Sequence, residues 1–324
     1  MADALDRLPA FSAQTRLLVI APHPDDETIA TGVLIQQVRA AGGDVRIVLL
    51  TAGDNNPWPQ RWLERRWRIG ALERQRWAQR RGAELIHALA ALGLQPAALE
   101  TLNWPDLGVT DMLLRSPDIA VATVTDAIAR FRPDLIALPA LHDHHPDHSA
   151  AHLLVRLALA GHAESPALLA YLVHGDATGG HVVQIDPTPA QMANKRAALQ
   201  EHRSQVALSD RRLRRLTERP ERYVNVREEP RPTSAALPWQ PSRWLQPWLR
   251  LDVASQVGVH RWAWRDAPLR RAADGRFHLL LPLGGQADPR FAKLSASLTS
   301  PWIFDRWGWC ELPALEQPSS IAVA

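Results

Sequence analysis

Cysteine is nearly missing from this chain. Its 324 residues include one, Cys310, which excludes an internal disulfide and any cysteine-rich zinc site and leaves metal or acid–base chemistry to histidines and acids. Also missing is an apolar run of the roughly 18–20 residues that cross a bilayer. The first residues carry acids and lack the basic-then-apolar order of a secretion signal, so the expected location is the cytoplasm, with the inner face of the membrane allowed. No internal repeat is present. What remains is ordinary for a globular protein: 46% hydrophobic and 22% charged residues, enough for one large domain or one domain plus a small one.

The net charge is only +3, yet the basic residues are unevenly spread. "RWLERRWRIGALERQRWAQRR", Arg61 to Arg81, alternates tryptophan with arginine. Such a composition can meet phosphates, an acidic glycolipid or a nucleic acid. It better suits a long amphipathic helix with a solvated polar face, so no nucleic-acid partner is expected.

Short apolar runs at 16–21, 45–51, 99–104, 134–139, 167–173 and 181–185 read as strands, mostly buried because their polarity does not alternate. Between them the sequence predicts helices over roughly 27–41, 60–93, 116–131, 147–161 and 189–209. This succession implies an α/β fold with a mainly parallel sheet and helices on both faces. Ligands of such sheets bind beyond the carboxyl ends of the strands. From about 216 the texture turns rich in proline and charge, and a boundary is expected near 225. The division is 1–225 for the main domain and 226–324 for a small, mainly β or irregular extension, whose tryptophans make a small core or cover a substrate or membrane surface.

Two stretches carry the chemistry. "VIAPHPDDETIATG", Val19 to Gly32, follows the first strand, and "LPALHDHHPDHSAAH", Leu138 to His152, follows the fourth. His23 and Asp26 are three apart, as are His145 and His148. Either stretch alone reads as a capped turn. Two of them, both at strand ends of a parallel sheet, can meet at one edge, and two histidines with a carboxylate and an open position suit a catalytic zinc ion.

The pairing of "PHPDDE" with "HPDH" resembles the PIG-L/LmbE-type zinc-dependent N-deacetylases. In order along the chain, "LLTAGD" (49–54), Arg81 with Glu84 before "LAALGL", "LNWPD" ending at Asp106 and "KRAALQEHRSQ" (195–205) agree. The likeness runs from about 16 to 210 and implies a Rossmann-like catalytic domain over 1–225. It implies zinc on His23, Asp26 and His148, with iron or cobalt able to replace it. It implies Asp25 as general base, His145 as oxyanion stabiliser and Asp147 as the residue orienting His145. Arg81 and Asp106 match positions that face the sugar, and Glu27 starts the helix or supports a ligand. Lys195, Ser204 and Gln205 fit the pattern, with structural roles open. Ala30 and Thr31 stand where the family has small glycines. His152 shares a helix face with His148, as a neighbour or a fourth ligand.

The resemblance implies hydrolysis of an N-acetyl group from an amino sugar, with an N-acetylated sugar or glycolipid as substrate and peripheral membrane contact allowed. An amidase acting on another small N-acylated compound would use the same residues. A catalytically silent, metal-stabilised glycan-binding protein is the alternative from another class, and retention of Asp25 argues against it.

Overall fold

The computed structural model describes residues 8, 10–160, 165–175, 182–226, 236–280, 289–296 and 307–313. Seven strands form the main sheet: β1 (Arg16–Ala21), β2 (Asp44–Thr51), β3 (Leu99–Trp104), β4 (Leu135–Pro139), β5 (Ala167–Tyr171), β6 (Val182–Ile185) and β7 (Glu221–Asn225). Their spatial order is β3-β2-β1-β4-β5-β7-β6. The first five are parallel, β7 runs antiparallel to β5, and β6 antiparallel to β7. β1 and β4 are buried almost throughout, as their continuous apolar sequences require of central strands. The edge strand β6 alternates exposed and buried residues.

Among the described residues eight α-helices cover the sheet: α1 (Asp26–Ala40), α2 (Pro57–Glu64), α3 (Ala71–Ala91), α4 (Val109–Arg115), α5 (Pro117–Phe131), α6 (Pro146–Ala158), α7 (Pro189–Glu201) and α8 (Arg203–Thr217). Alternate residues of β1 face opposite sides. Leu18 and Ile20 join a core with α4, α5 and α6, whereas Leu17 and Val19 pack with α1, α3, α7 and α8. The chain leaves β1 toward β2 and β3, then crosses to β4 on the other side of β1. The loops after β1 and β4 therefore diverge and open a crevice where the sheet order reverses.

α1 carries an inserted side chain. The Glu221 carboxylate accepts from the backbone amides of Val33 (2.7 Å) and Leu34 (3.0 Å). The Tyr223 hydroxyl donates to the Ala30 carbonyl at 2.8 Å, the ordinary partner of Leu34 in an uninterrupted helix. Buried Lys195 neutralises Glu221 at 2.6 Å, which gives the lysine of the "KRAALQEHRSQ" segment a structural role.

Three expectations differ. The single helix over 60–93 is two, because Arg65 turns into the left-handed region (φ 50°) and the Gln60 amide donates to the Glu73 carbonyl across the break. The helix over 189–209 divides at His202 into α7 and α8. "ERYVN", within the charged texture after 216, is a sheet strand whose Tyr223 is wholly buried.

Beyond the main sheet, β8 (Leu249–Ser255), β9 (Gly258–Ala263), β12 (Phe291–Ala296) and β13 (Trp309–Glu311) form an antiparallel sheet ordered β13-β12-β8-β9, and β10 (Leu269–Arg271) pairs with β11 (Phe277–Leu279). One face encloses Trp239, Trp264, Leu251 and Leu294. The other sends Ala254, Phe291 and Trp309 into the core beneath α6, where Arg156 makes a two-pronged pair with Glu311 at 2.7 and 3.2 Å. Among the described residues no helix is long and apolar enough to cross a membrane.

Candidate metal centre

The loops after β1 and β4 meet at the crevice. His23 lies on the first loop, Asp26 opens α1, and His145 and His148 start α6. The α6 start is built locally: Pro146 presets the first turn and the His145 ring accepts from the Asp147 amide at 3.2 Å. His23 Nδ1, Asp26 Oδ2 and His148 Nε2 form a closed triangle with edges of 3.2, 3.1 and 3.3 Å. Ligands about 2.0–2.1 Å from a tetrahedral zinc ion stand about 3.3 Å apart, so this donor set fits the ion in chemistry and spacing. His23–His145–His148, Asp26–His148–His174 and His23–Asp106–Asp147 also bring donor atoms within 4.8 Å.

Carboxylates back both histidines. Asp143 Oδ2 lies 3.2 Å from His148 Nδ1, and Asp106 Oδ1 and Asp147 Oδ2 each lie 3.3 Å from His23 Nε2. Such partners orient a ligating ring and strengthen its free nitrogen as a donor to metal. Burial opposes charge on both rings, yet Asp106, Asp147 and Asp26 raise the His23 pKa well above the usual value, and Asp26 and Asp143 raise that of His148 to about 10. The cluster thus favours a cation at its centre.

Asp25 stands beside the triangle. Its backbone has φ 126°, a conformation rare outside glycine, and its amide donates to Glu27 Oε2 at 3.0 Å. Burial raises the Asp25 pKa to about 6, with Arg81 pulling it back and Asp26 adding to the rise. Arg81 is itself buried. Its guanidinium donates to the carbonyls of Gly53 and Pro24, both at 2.5 Å, and lies 3.5 Å from Asp25 Oδ1.

An open cleft of about 890 Å³ contains His23, Asp25, Arg81, Asp106 and His145 in its lining. All eight sequence-predicted residues lie in or directly behind this cleft, with two revisions of role. The Asp147 carboxylate does not hold His145. It accepts from the amides of Leu107 (2.8 Å) and Val109 (3.1 Å) and faces His23, while its amide alone touches the His145 ring. Asp106 accepts from Asn55 N at 2.7 Å and faces His23 as well as the cleft. His152 Nδ1 donates to the Pro139 carbonyl at 2.9 Å, and the ring packs on Phe291 at the far side of α6, as a neighbour.

Sequence reasoning missed Asp143 and His174. Asp143 accepts from the amides of His145, Val173 and His174, each at 3.0 Å, and so ties the end of β5 to the start of α6. Its position just after β4 was the available signal, obscured by the surrounding histidines. His174 follows β5, lines the cleft and contacts Arg212 at 3.1 Å.

With this geometry in place, residues 18–159 match the model of the PIG-L family, described as GlcNAc-PI de-N-acetylase. A 1D-myo-inositol 2-acetamido-2-deoxy-alpha-D-glucopyranoside deacetylase of Mycolicibacterium vanbaalenii is 32% identical over 162 residues, 45% of this chain and 54% of that protein. The protein of the same description from Tsukamurella paurometabola is 30% identical over 179 residues, 46% of this chain and 57% of its own. The chain thus spans about half the length of the curated relatives it matches. A solved deacetylase triple mutant of the teicoplanin biosynthetic pathway superposes with a TM-score of 0.50 at 22% identity, covering 63% of this chain and 88% of that one, and agrees in fold.

Proposed function

We propose that this protein is a metal-dependent hydrolase that removes the N-acetyl group of an amino sugar. The observation that carries the reading is the closed triangle of His23, Asp26 and His148 with the half-buried carboxylate of Asp25, held by a strained backbone, beside it. A divalent ion held there, with zinc the first choice for its nitrogen and oxygen ligands, would acidify a water and polarise an amide carbonyl. Asp25, spared from ligation, takes a proton from the attacking water. His145, whose Nδ1 accepts from the Asp147 amide, carries its proton in the neutral ring on Nε2 and donates toward the developing oxyanion. Asp25 then returns the proton to the departing amine, the C–N bond breaks, and acetate and a free amino sugar leave. Arg81 holds Asp25 and the loops after β1 and β2 in register, while Asp106 and His174 line the side where a sugar enters. The same machinery would serve another small N-acylated compound.

Residues 1–225 are assigned to the catalytic domain and 226–324 to an extension that braces α6. The test of function pairs elemental analysis with acetate release from a panel of N-acetylated sugars, for wild type and Asp25→Asn. One equivalent of metal in both proteins is expected, with hydrolysis reduced about 10²–10⁴-fold in the variant, the range for loss of a general base. No metal in reconstituted wild type, or undiminished acetate release by Asp25→Asn, would overturn the reading.

A further inference from the structure

One face of α2 is unusual for a surface helix. Trp58, half-buried Arg61, exposed Trp62 and the cap residue Arg65 recur at helical spacing, while Pro59 and Gln60 on the opposite side are buried. Trp58 and Trp62 are 63% and 66% exposed, and Trp67, in the turn after the helix, is 84% exposed. The three are not scattered. The Arg61 guanidinium lies 5.0 Å from the centre of the Trp58 ring and 5.9 Å from that of Trp67, so a cation joins two indoles into one patch. Glu64 and Glu73 are engaged by Arg76 and Arg66. No carboxylate among the described residues lies within ion-pair distance of Arg61, Arg65 or Arg68. The patch therefore combines indole surface denied to the core with uncompensated positive charge.

We propose that this patch docks the protein on an anionic phospholipid surface. Indole rings favour the boundary between water and hydrocarbon, where the ring is sheltered and its N–H stays hydrated. Arginines interleaved with them gain from negative headgroups. An ordinary solvated helix face has no reason to hold three indoles open to water, and an apolar protein interface has no use for three unpaired arginines. The patch also sits beside the cleft. Asn56, the α2 cap, and Pro59 in its first turn both line it, so docking would bring the cleft entrance to the headgroup layer. The proposal goes beyond the hydrolytic reading and does not rest on it, since surface binding and hydrolysis are measured separately.

The experiment is co-sedimentation of the full chain with phosphatidylcholine vesicles and with vesicles containing phosphatidylglycerol, at low and high salt. Wild type is expected to bind the anionic vesicles at least tenfold more tightly than the neutral ones and to weaken with salt. Substitution of Trp58, Trp62 and Trp67 by Ala should reduce that binding at least tenfold while acetate release from a water-soluble N-acetylated sugar is unchanged. Trp62→Ala and Arg65→Glu, each a single exposed change, serve if the triple variant does not fold, and each should weaken binding severalfold. Failure of wild type to bind anionic vesicles, or equal binding by folded Trp variants, would overturn the proposal. So would light scattering that shows a dimer abolished by Trp62→Ala without vesicle binding, or preference for a soluble anionic polysaccharide over vesicles.

Discussion

Asp25 is held in a backbone conformation that costs an ordinary residue about 1–3 kcal/mol, and its surroundings enforce it. Glu27 accepts from its amide, and Arg81 donates to the carbonyl of Pro24 on one side and to that of Gly53 on the other. Gly53 is needed for this reason: at φ +63° an added Cβ would lie 1.8 Å from Arg81 Nη1. We expect Gly53→Ala to cost about 1–2 kcal/mol from the left-handed backbone alone, and more in activity than in stability, because the guanidinium must leave Asp25. Parallel melting curves and acetate-release rates check this; equal, small effects on both would mean that Arg81 does not position the carboxylate. At this scale the sequence made the ligand types and their three-residue spacing legible. It hid which oxygen faces which ring: Asp147 follows His145 by two positions yet serves His23, because its carboxylate is drawn to the amides of Leu107 and Val109.

Elements are positioned by contacts across long stretches of chain. The start of α1 rests on the junction between α7 and α8, where buried His202 lies 3.1 Å from Glu27 Oε1 and 3.3 Å from the Thr28 hydroxyl. Burial opposes protonation of His202, but Glu27 and then Asp25 outweigh it against the repulsion of Arg81, and the pKa rises. A raised pKa in the folded state means that the pair's stabilisation is complete below the unfolded value near 6.5 and is lost as pH climbs through the folded value. The melting-temperature advantage of wild type over His202→Gln should therefore be largest near pH 6 and shrink toward pH 9. A difference independent of pH would show that the ring is neutral in the fold. Strand positions were legible because the apolar runs are continuous and bounded. The helix breaks at Arg65 and His202 were not, since neither is glycine or proline, and tertiary hydrogen bonds set them.

The whole molecule is less divisible than its composition suggests. β7 lies past the change of texture near 216 and belongs to the main sheet. Ala254, Phe291 and Trp309 from the antiparallel sheet share a core with α6. A chain ended after residue 226 would expose that core and strand Arg156 without Glu311. We expect it to be insoluble, or to melt well below the full chain and lose metal affinity through displacement of His148. A soluble truncated protein with full metal content would show that the extension is dispensable to the centre. Exposed Trp244 and Trp248 show why tryptophan content alone misleads: some of these rings build the small core, and others face water.

The inserted carboxylate of Glu221 in α1 also bears on the order in which the protein can mature. His23 and Asp26 precede the rest of the site along the chain, yet the helix that Asp26 opens is completed by a carboxylate that follows almost two hundred positions later. His148 must arrive to close the triangle, then Lys195 and His202, and finally the strand bearing Glu221 and Tyr223 must add to the sheet. A nascent chain therefore cannot finish its earliest motif until the last strand of the main sheet has been made. The donors of the candidate metal centre come together late, in an almost complete fold, and a chain interrupted before that strand carries the motif without the means to assemble it.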